Sequence, residues 1–253
     1  MRTILWFIHF WIYLIIMEPN LLWVRHLAKK GRIEEHDAQV RYQVGKWARE
    51  MIRTAGGSVK VEGLERMADG PAVYVSNHLS YFDIPLVLGY LGDQTIPLVA
   101  KKQIQKIPMI RSWMKELHCV FIDRDNPRAS MAALKEAEQW VEQGYSMVVF
   151  PEGTRSVDGA VHDFKSGAFR IAQKNKVPVV PFVIQGTQNL MSRDSLWIHP
   201  ANVAMTVLPE IETKDFDRHQ WRKVPEMARD KVNAALSSPA ALEEHNDYFV
   251  KKV

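Results

Sequence analysis

A histidine and an aspartate stand five positions apart in a polar segment that follows an apolar run. The run is Ala72-Val73-Tyr74-Val75, and the segment reads Asn77-His78-Leu79-Ser80-Tyr81-Phe82-Asp83. A carboxylate that binds one ring nitrogen of a histidine fixes the tautomer of the ring and stabilises its cation. Such a ring can take a proton from an alcohol. The spacing therefore predicts a general base, His78, that is oriented by Asp83.

The same residues also fit a purely structural interpretation. In that interpretation Ser76 and Asn77 end a strand, His78 and Ser80 cap a helix, and Asp83 adds negative charge near the positive end of that helix. The chain has 9 histidines and 29 acidic residues, so a pair with this spacing also arises by chance. The other polar blocks of the chain decide between the two interpretations.

A second polar block, Phe150-Pro151-Glu152-Gly153-Thr154-Arg155, follows another apolar run, so two strand ends are expected to meet at one edge of a sheet. Two further blocks are Phe121-Ile122-Asp123-Arg124 and Val177-Pro178-Val179-Val180-Pro181-Phe182. In order and type, the four blocks resemble those of the glycerolipid acyltransferase family, most closely its 1-acylglycerol-3-phosphate acyltransferase branch. The resemblance extends over roughly residues 59–209, and FPEGTRS is its most specific string.

The resemblance implies a direct acyl transfer. His78 and Asp83 would be the catalytic residues: His78 would deprotonate a glycerol hydroxyl, which then attacks the thioester of an acyl donor. Ser80 is the competing nucleophile, but no G-x-S-x-G motif surrounds it, so a helix-start role is favoured. Cys119 opens an apolar run, where a small buried thiol is the usual occupant.

The acceptor of this family carries a phosphate, and cations follow several predicted strands. Lys101, Arg124 and Arg155 stand where open α/β sheets bind ligands, and Lys165 belongs to a K-x-G element that opens a helix. Glu152 is expected either to bind the glycerol hydroxyls or to brace Arg155. Gly153 is expected to permit a tight turn whose N–H groups face the substrate. The resemblance adds Asn77 and Thr154, from the same blocks, to the predicted substrate-binding residues.

Composition limits the possible cofactors and partners. No Cys and His cluster has zinc spacing and no Gly-rich nucleotide loop occurs, so we expect no metal and no cofactor. The co-substrate would be the thioester of acyl-CoA or of acyl carrier protein. The partners would be a lysophospholipid acceptor and the lipid bilayer, with no nucleic acid. The single cysteine agrees with a reducing compartment, and thus with the cytoplasmic face of a membrane.

The excess positive charge lies at the amino terminus. Residues 1–60 hold 10 Lys and Arg against 5 Asp and Glu, and they include an apolar stretch from Ile4 to Met17. At about 1.5 Å per residue this stretch is too short to span a ~30 Å hydrocarbon core. A cleaved signal peptide and a spanning helix from Ile4 to Val24 are alternatives. We favour a helix-turn-helix in one leaflet, with Pro19 opening the second helix and the tryptophans at headgroup depth.

The remaining pattern alternates between strands and helices, which indicates an α/β fold with a largely parallel sheet flanked by helices. Residues 1–56 are predicted as a helical membrane-anchoring element with a break at Gly31, and 57–253 as the catalytic domain. Strands are expected near 59–62, 72–75, 97–100, 120–122, 147–150, 179–184 and 203–208. Helices are expected near 84–91, 109–117, 127–143, 166–174 and 224–236.

These features predict a membrane-associated acyltransferase that acylates the sn-2 hydroxyl of 1-acylglycerol 3-phosphate and forms phosphatidate. The nearest alternative is the same chemistry on another lysophospholipid. A catalytically silent lipid-surface binding protein would keep the fold but would not need a positioned base. An α/β hydrolase would need a nucleophile motif that the chain lacks.

Overall fold

All seven apolar runs predicted as strands form strands in the computed structural model, which describes residues 1–237. The strands are β1 Gly57–Glu62, β2 Val73–Ser76, β3 Val99–Lys101, β4 Val120–Ile122, β5 Met147–Val149, β6 Val179–Gln185 and β7 Ala201–Val207. The helices are α1 Arg2–Lys29, α2 Ile33–Ala55, α3 Asp83–Tyr90, α4 Pro108–Glu116, α5 Pro127–Glu142, α6 Ser166–Asn175, α7 Thr187–Leu190 and α8 Arg218–Leu236.

The strands form a largely parallel sheet, as predicted. The five-stranded part has the order β1-β7-β6-β2-β5, and a bridge between Leu98 and Val148 joins it to the parallel pair β3 and β4. Strand β2 is parallel to both β5 and β6. Strand β7 is antiparallel to β6, and β1 is parallel to β7. The strands β2, β5 and β6 therefore end at one side of the sheet, which we term the carboxyl edge.

Helices cover both faces of the sheet, so its central strands are continuous apolar runs. On one face, α1 to α4 share a buried cluster with residues such as Tyr74 and Phe182. On the other face, α5, α6 and α8 pack on residues such as Val73 and Val179. The predicted division at residue 56 falls between the end of α2 and the start of β1, but α1 and α2 contribute to the same core as the sheet.

Helix α1 corrects the prediction of a turn at Pro19. The helix runs without interruption from Arg2 to Lys29, with Pro19 inside it, and the chain turns at Gly31, where a break was predicted and φ is +71°. Leu14, Met17, Leu21 and Val24 form one buried stripe on both sides of the proline. Burying each such side chain contributes roughly 1.5–3 kcal/mol, which together outweighs the roughly 3 kcal/mol that an internal proline costs.

Side-chain caps fix the starts of two helices, α5 and α8. The Asn126 side chain accepts the N–H of Ala129 at 3.1 Å, so it caps α5 as predicted. Helix α8, expected from Val224, begins at Arg218 instead. Its start is fixed by a capping box, in which Asp217 and Gln220 bind each other's backbone N–H groups at 2.7 Å. Pro225 is accommodated within that helix.

A buried polar network ties the helices together at the opposite, amino edge of the sheet. His36 on α2 contacts Asp37 at 2.8 Å and Glu116 at 3.3 Å, and Arg25 on α1 binds Glu116 at 2.8 Å. Asp37 also receives the hydroxyl of Tyr145, which precedes β5, at 2.5 Å, and a ring nitrogen of His118 at 3.2 Å. The network therefore connects α1, α2, the end of α4 and the start of β5.

The network predicts a pH-dependent stability. Hydrogen bonds to Asp37 and Glu116 raise the pKa of His36 from 6.5 to about 9. Protonated His36 should thus raise the free energy of unfolding by on the order of 3 kcal/mol. This contribution should be fully present below pH about 6.5 and should be lost as the pH rises through about 9. The measurement is urea unfolding in a mild detergent of the wild type and His36→Gln, between about pH 6 and about pH 10.

The difference in the free energy of unfolding between the wild type and His36→Gln should be large near pH about 6 and should become small above about pH 9. His219→Gln on the exposed surface of α8 serves as the matched control and should show no gap at either end. A gap for His36→Gln that stays constant across the whole range would contradict the assignment of a protonated His36.

Candidate functional site

His78 and Asp83 lie at the carboxyl edge, in the segment that leads from β2 into α3. The Nδ1 of His78 donates to Oδ2 of Asp83 at 2.6 Å, and the Asp83 side chain is completely buried. This bond assigns the proton of the neutral ring to Nδ1 and leaves Nε2 with a free lone pair. In the part of the chain that the structure describes, Nε2 has no hydrogen-bond partner, and the His78 side chain remains 18% exposed. The predicted pair is therefore brought together, with one nitrogen available to a substrate.

The Asp83 carboxylate is held from four directions. Besides His78, its Oδ2 accepts the backbone N–H of Leu79 at 2.6 Å and that of Ser80 at 2.9 Å. Its Oδ1 accepts the hydroxyl of the buried Thr187 at 2.5 Å. A buried carboxylate needs such partners to stay charged. Thr187 was missed by the sequence analysis, although its position directly after the predicted strand β6 is the kind of signal that singled out the other blocks.

The two loops that follow β2 and β5 are bonded to each other. The N–H of His78 donates to Oε1 of Glu152 at 3.0 Å, and the N–H of Ser156 donates to the carbonyl of His78 at 2.7 Å. The His78 ring also stacks on Phe150, with centroids 4.3 Å apart and planes at 23°. These contacts fix the orientation of the His78 ring relative to the FPEGTR turn.

Glu152 does not have one of its two predicted roles, the bracing of Arg155. It is buried, and its second oxygen accepts the N–H of His162 at 3.2 Å, so it joins two loops through backbone groups and does not brace Arg155. Burial raises the pKa of Glu152, although the two N–H donors favour its charged form. Gly153 permits the tight turn that was predicted, and its own N–H donates to the carbonyl of Phe150 at 3.0 Å within that turn.

Cations surround the FPEGTR turn. The guanidinium of Arg155 lies 3.8 Å from the centre of the Tyr81 ring and donates to the carbonyl of Arg193 at 3.3 Å, and Arg193 returns a bond to the carbonyl of Arg155 at 2.8 Å. Lys165 precedes α6, as its K-x-G element predicted, and its Nζ would be 2.9 Å from a Cβ at Gly153. The positive φ of +76° disfavours any side chain at Gly153, and a side chain there would also displace this ammonium. Thr154 is exposed beside it.

Lys101 and Arg124 lie further along the same edge. Lys101 ends β3 opposite Ile122 on β4, and Arg124 follows Ile122 by two residues, so both cations leave the sheet at the same level. Both side chains are exposed, whereas the neighbouring Lys102 forms an ion pair with Asp123 at 3.0 Å. An anion at the carboxyl edge can thus meet Arg155 and Lys165 on one side and Lys101 and Arg124 on the other.

The two residues that could act as nucleophiles, Ser80 and Cys119, are both buried and hydrogen-bonded. The Ser80 hydroxyl is buried, donates to the carbonyl of Met191 at 2.6 Å and accepts the N–H of Phe82 at 3.2 Å, just before α3 begins. Burial raises the pKa of Cys119 to about 12, so its thiol stays protonated at neutral pH. Neither group is available to form an acyl-enzyme.

Asn77 serves the fold. Its side chain is buried and pairs with both backbone groups of Ile184 on β6, donating at 2.9 Å and accepting at 3.0 Å. The amide thereby continues the pairing of β2 with β6 beyond the last strand residue. The structure places this predicted substrate-binding side chain beneath the His78 loop, with its donor and acceptor both in use.

Comparisons with known proteins point to one family of enzymes. A family model described as Acyltransferase matches residues 58–185. A 1-acyl-sn-glycerol-3-phosphate acyltransferase of Cocos nucifera is 33% identical over 68% of this chain and 56% of its own length. A chloroplastic 1-acyl-sn-glycerol-3-phosphate acyltransferase of Brassica napus is 43% identical over 53% of this chain. The chain thus spans only about half, or 39% in the second case, of the length of these relatives.

A solved structure matches nearly the whole chain. It is that of the 1-acyl-sn-glycerophosphate (LPA) acyltransferase PlsC from Thermotoga maritima, with a TM-score of 0.73 and 28% identity. The match covers 94% of this chain and 99% of that one. The likeness therefore includes the amino-terminal helices as well as the sheet.

The pairing of Asn77 predicts a loss of stability on its removal. Asn77→Ala leaves the N–H and carbonyl of Ile184 without partners in the core, so we expect a destabilisation of roughly 2 kcal/mol or more, measured by urea unfolding. Thr154→Ala, at an exposed position of the same edge, is the control and should change stability by less than about 0.5 kcal/mol. An Asn77→Ala protein with unchanged stability and a raised acceptor KM would instead give Asn77 a substrate contact.

Proposed function

The chain belongs to the acyltransferase family, and on that premise we propose that it transfers an acyl group from a thioester to the sn-2 hydroxyl of 1-acylglycerol 3-phosphate. The observation that carries the proposal is the free Nε2 of His78 beside the cationic FPEGTR turn. The names of the similar proteins support 1-acylglycerol 3-phosphate as the acceptor, since those proteins are named as its acyltransferases.

The proposed reaction needs two proton transfers. Nε2 of His78 takes the proton of the acceptor hydroxyl while the oxygen attacks the thioester carbonyl, and Asp83 stabilises the imidazolium that forms. The tetrahedral intermediate then expels the thiolate, which receives the proton from His78. The products are phosphatidate and a free thiol, and His78 returns to its neutral state. The thioester, from acyl-CoA or acyl carrier protein, is a co-substrate, and the chemistry uses no resident cofactor.

The acceptor phosphate would bind to the cations of the carboxyl edge. Arg155 offers a planar guanidinium whose position is fixed by Tyr81, and Lys165 offers a point charge beside Gly153. A phosphate bound there keeps the glycerol hydroxyl within reach of His78, because the two loops are bonded directly to each other. Glu152 would contribute to this site indirectly, because its carboxylate binds the backbone N–H groups of His78 and His162 and so joins the loops.

Membrane association is supported by α1, which by length and composition is able to cross a membrane. Its inner face is buried from Thr3 to Leu27, whereas its outer face exposes large apolar residues along the same length. These are Ile4, Leu5, Ile8, Trp11, Ile12, Ile15, Ile16, Leu22 and Trp23. A helix packed on its own domain over its full length fits an orientation in the plane of the membrane, which we propose at the cytoplasmic face.

The general base is tested by substitution. His78→Ala should lower kcat by about 10²–10⁴-fold with the circular dichroism spectrum unchanged, because a positioned base contributes that much to a proton transfer. Asp83→Asn should be nearly as damaging. His162→Ala, at an exposed histidine of the same edge, is the matched control and should keep most of its rate. A folded His78→Ala protein that kept more than about a tenth of the rate would refute the mechanism.

The phosphate site is tested by measuring the KM of the acceptor and the KM of the donor separately. Arg155→Ala or Arg124→Ala should raise the acceptor KM by about 10-fold or more and leave the donor KM nearly unchanged, since each charge-assisted bond to a phosphate contributes roughly 1.5–3 kcal/mol. Lys135→Ala, on the exposed side of α5, should change neither constant. If only the donor KM rose, the arginines would bind the phosphates of the donor instead.

A further inference from the structure

The connection between α7 and β7 exposes two large apolar side chains. Leu196 is 59% exposed and Trp197 is 61% exposed, although the next residue, Ile198, is buried in the core. Exposing a leucine and a tryptophan side by side to water gains nothing for the fold. Such a pair usually marks a contact with something apolar.

The connection is held in place on both sides of these residues. The N–H of Ile198 donates to Oγ1 of Thr3 on α1 at 3.0 Å, and that of His199 donates to the carbonyl of Leu190 at 3.0 Å. On the other side, Arg193 and Arg155 exchange bonds with each other's carbonyls. Leu196 and Trp197 therefore have fixed positions between the amino end of α1 and the FPEGTR turn.

The contact with Thr3 places the connection beside the amino end of α1, where exposed apolar residues flank the buried Thr3. Met1, Ile4 and Leu5 flank Thr3 and are at least 61% exposed. Trp197 is one residue from the N–H that binds Thr3, and consecutive Cα atoms are about 3.8 Å apart, so these side chains lie within reach of one another. Arg2 adds positive charge on one side of the apolar pair, and Arg193, which lies 3.8 Å from the carboxylate of Asp194, stands on the other.

We propose that Leu196 and Trp197 form a second membrane contact, which holds the opening of the active site against the lipid headgroups. The inference rests on the proposed membrane association of α1. A bilayer is the occupant that fits, because the pair extends an apolar face already too long for a small partner, because tryptophan prefers headgroup depth, and because the flanking arginines match anionic lipid.

The contact would serve the reaction. The acceptor has an acyl chain in the bilayer and a phosphate at its surface, while Arg155 and His78 lie just beyond the connection that carries Trp197. With α1 alone as the contact, the carboxyl edge would be free to tilt away from the lipid. A second contact at that edge shortens the path from the bilayer to the phosphate site.

The experiment uses the full chain, with Cys119→Ser to remove the one native cysteine. A cysteine carrying an environment-sensitive fluorophore is placed at Trp197, at Ile8 on the outer face of α1, or at Met131. Met131 is 44% exposed on α5, which covers the opposite face of the sheet, and it serves as the matched control. Vesicles of equimolar phosphatidylcholine and phosphatidylglycerol are then added.

We expect a blue shift and an intensity gain at positions 197 and 8, and no change at 131. A shift at position 8 without one at 197 would overturn the second contact and leave the α1 contact standing. If neither position responded, the proposed membrane association itself would fail. A shift at 197 that depended on protein concentration in the absence of vesicles would assign the surface to a second copy of the chain, and would also overturn the proposal.

Activity supplies an independent measurement. The double variant Leu196→Ser, Trp197→Ser should lose about 10-fold in rate with acceptor embedded in vesicles, because two apolar side chains no longer enter the lipid. Its rate with a short-chain acceptor dissolved below its critical micelle concentration should match the wild type, as should its urea unfolding midpoint. Equal losses with both acceptors would show that the residues act on the site and not on the membrane.

Discussion

The buried carboxylate of Asp83 is the constraint on which the rest of the site depends. A charged group without exposure is tolerated only where its oxygens are bonded, and here the partners are the ring of His78, two backbone N–H groups and the hydroxyl of Thr187. These hydrogen bonds fix the turn after β2, the start of α3 and the position of α7 beside them. The orientation of the His78 ring, the proposed general base, therefore depends on the bonds that the fold gives to Asp83.

The sheet topology explains why these partners can meet. Strands β5 and β6 lie on either side of β2 and run parallel to it, so the segments after all three strands emerge together at the carboxyl edge. The segment after β2 carries His78, that after β5 carries Glu152 and Arg155, and that after β6 carries Thr187. Asn77 strengthens the arrangement, since its amide extends the pairing of β2 with β6 up to the residue before His78.

The contact between His78 and Asp83 could be predicted because both residues lie in one short segment behind a strand. The position of Thr187 after a strand is visible in the sequence, but its contact with Asp83 is not, because the two residues are 104 positions apart and meet only through the pairing of β6 with β2. Of the two roles expected for Glu152, the bracing of Arg155 does not occur, because the backbone N–H groups of His78 and His162 bind the carboxylate. The unbroken α1 was missed for a similar reason, because the burial that holds its two halves together depends on tertiary packing and outweighs the local signal of Pro19.

Helix α1 connects its own exposed apolar face with the segment that carries His78. Trp6 on its inner face packs against Phe82, with ring centroids 5.4 Å apart, and donates to the carbonyl of Met51 at 2.9 Å. Phe82 directly precedes Asp83, so the carboxylate is one residue from a side chain that α1 supports. At its other end, Arg25 joins α1 to the polar network of the amino edge. The helix is thus fixed at both edges of the sheet, and any surface that its outer face contacts has a defined orientation relative to His78.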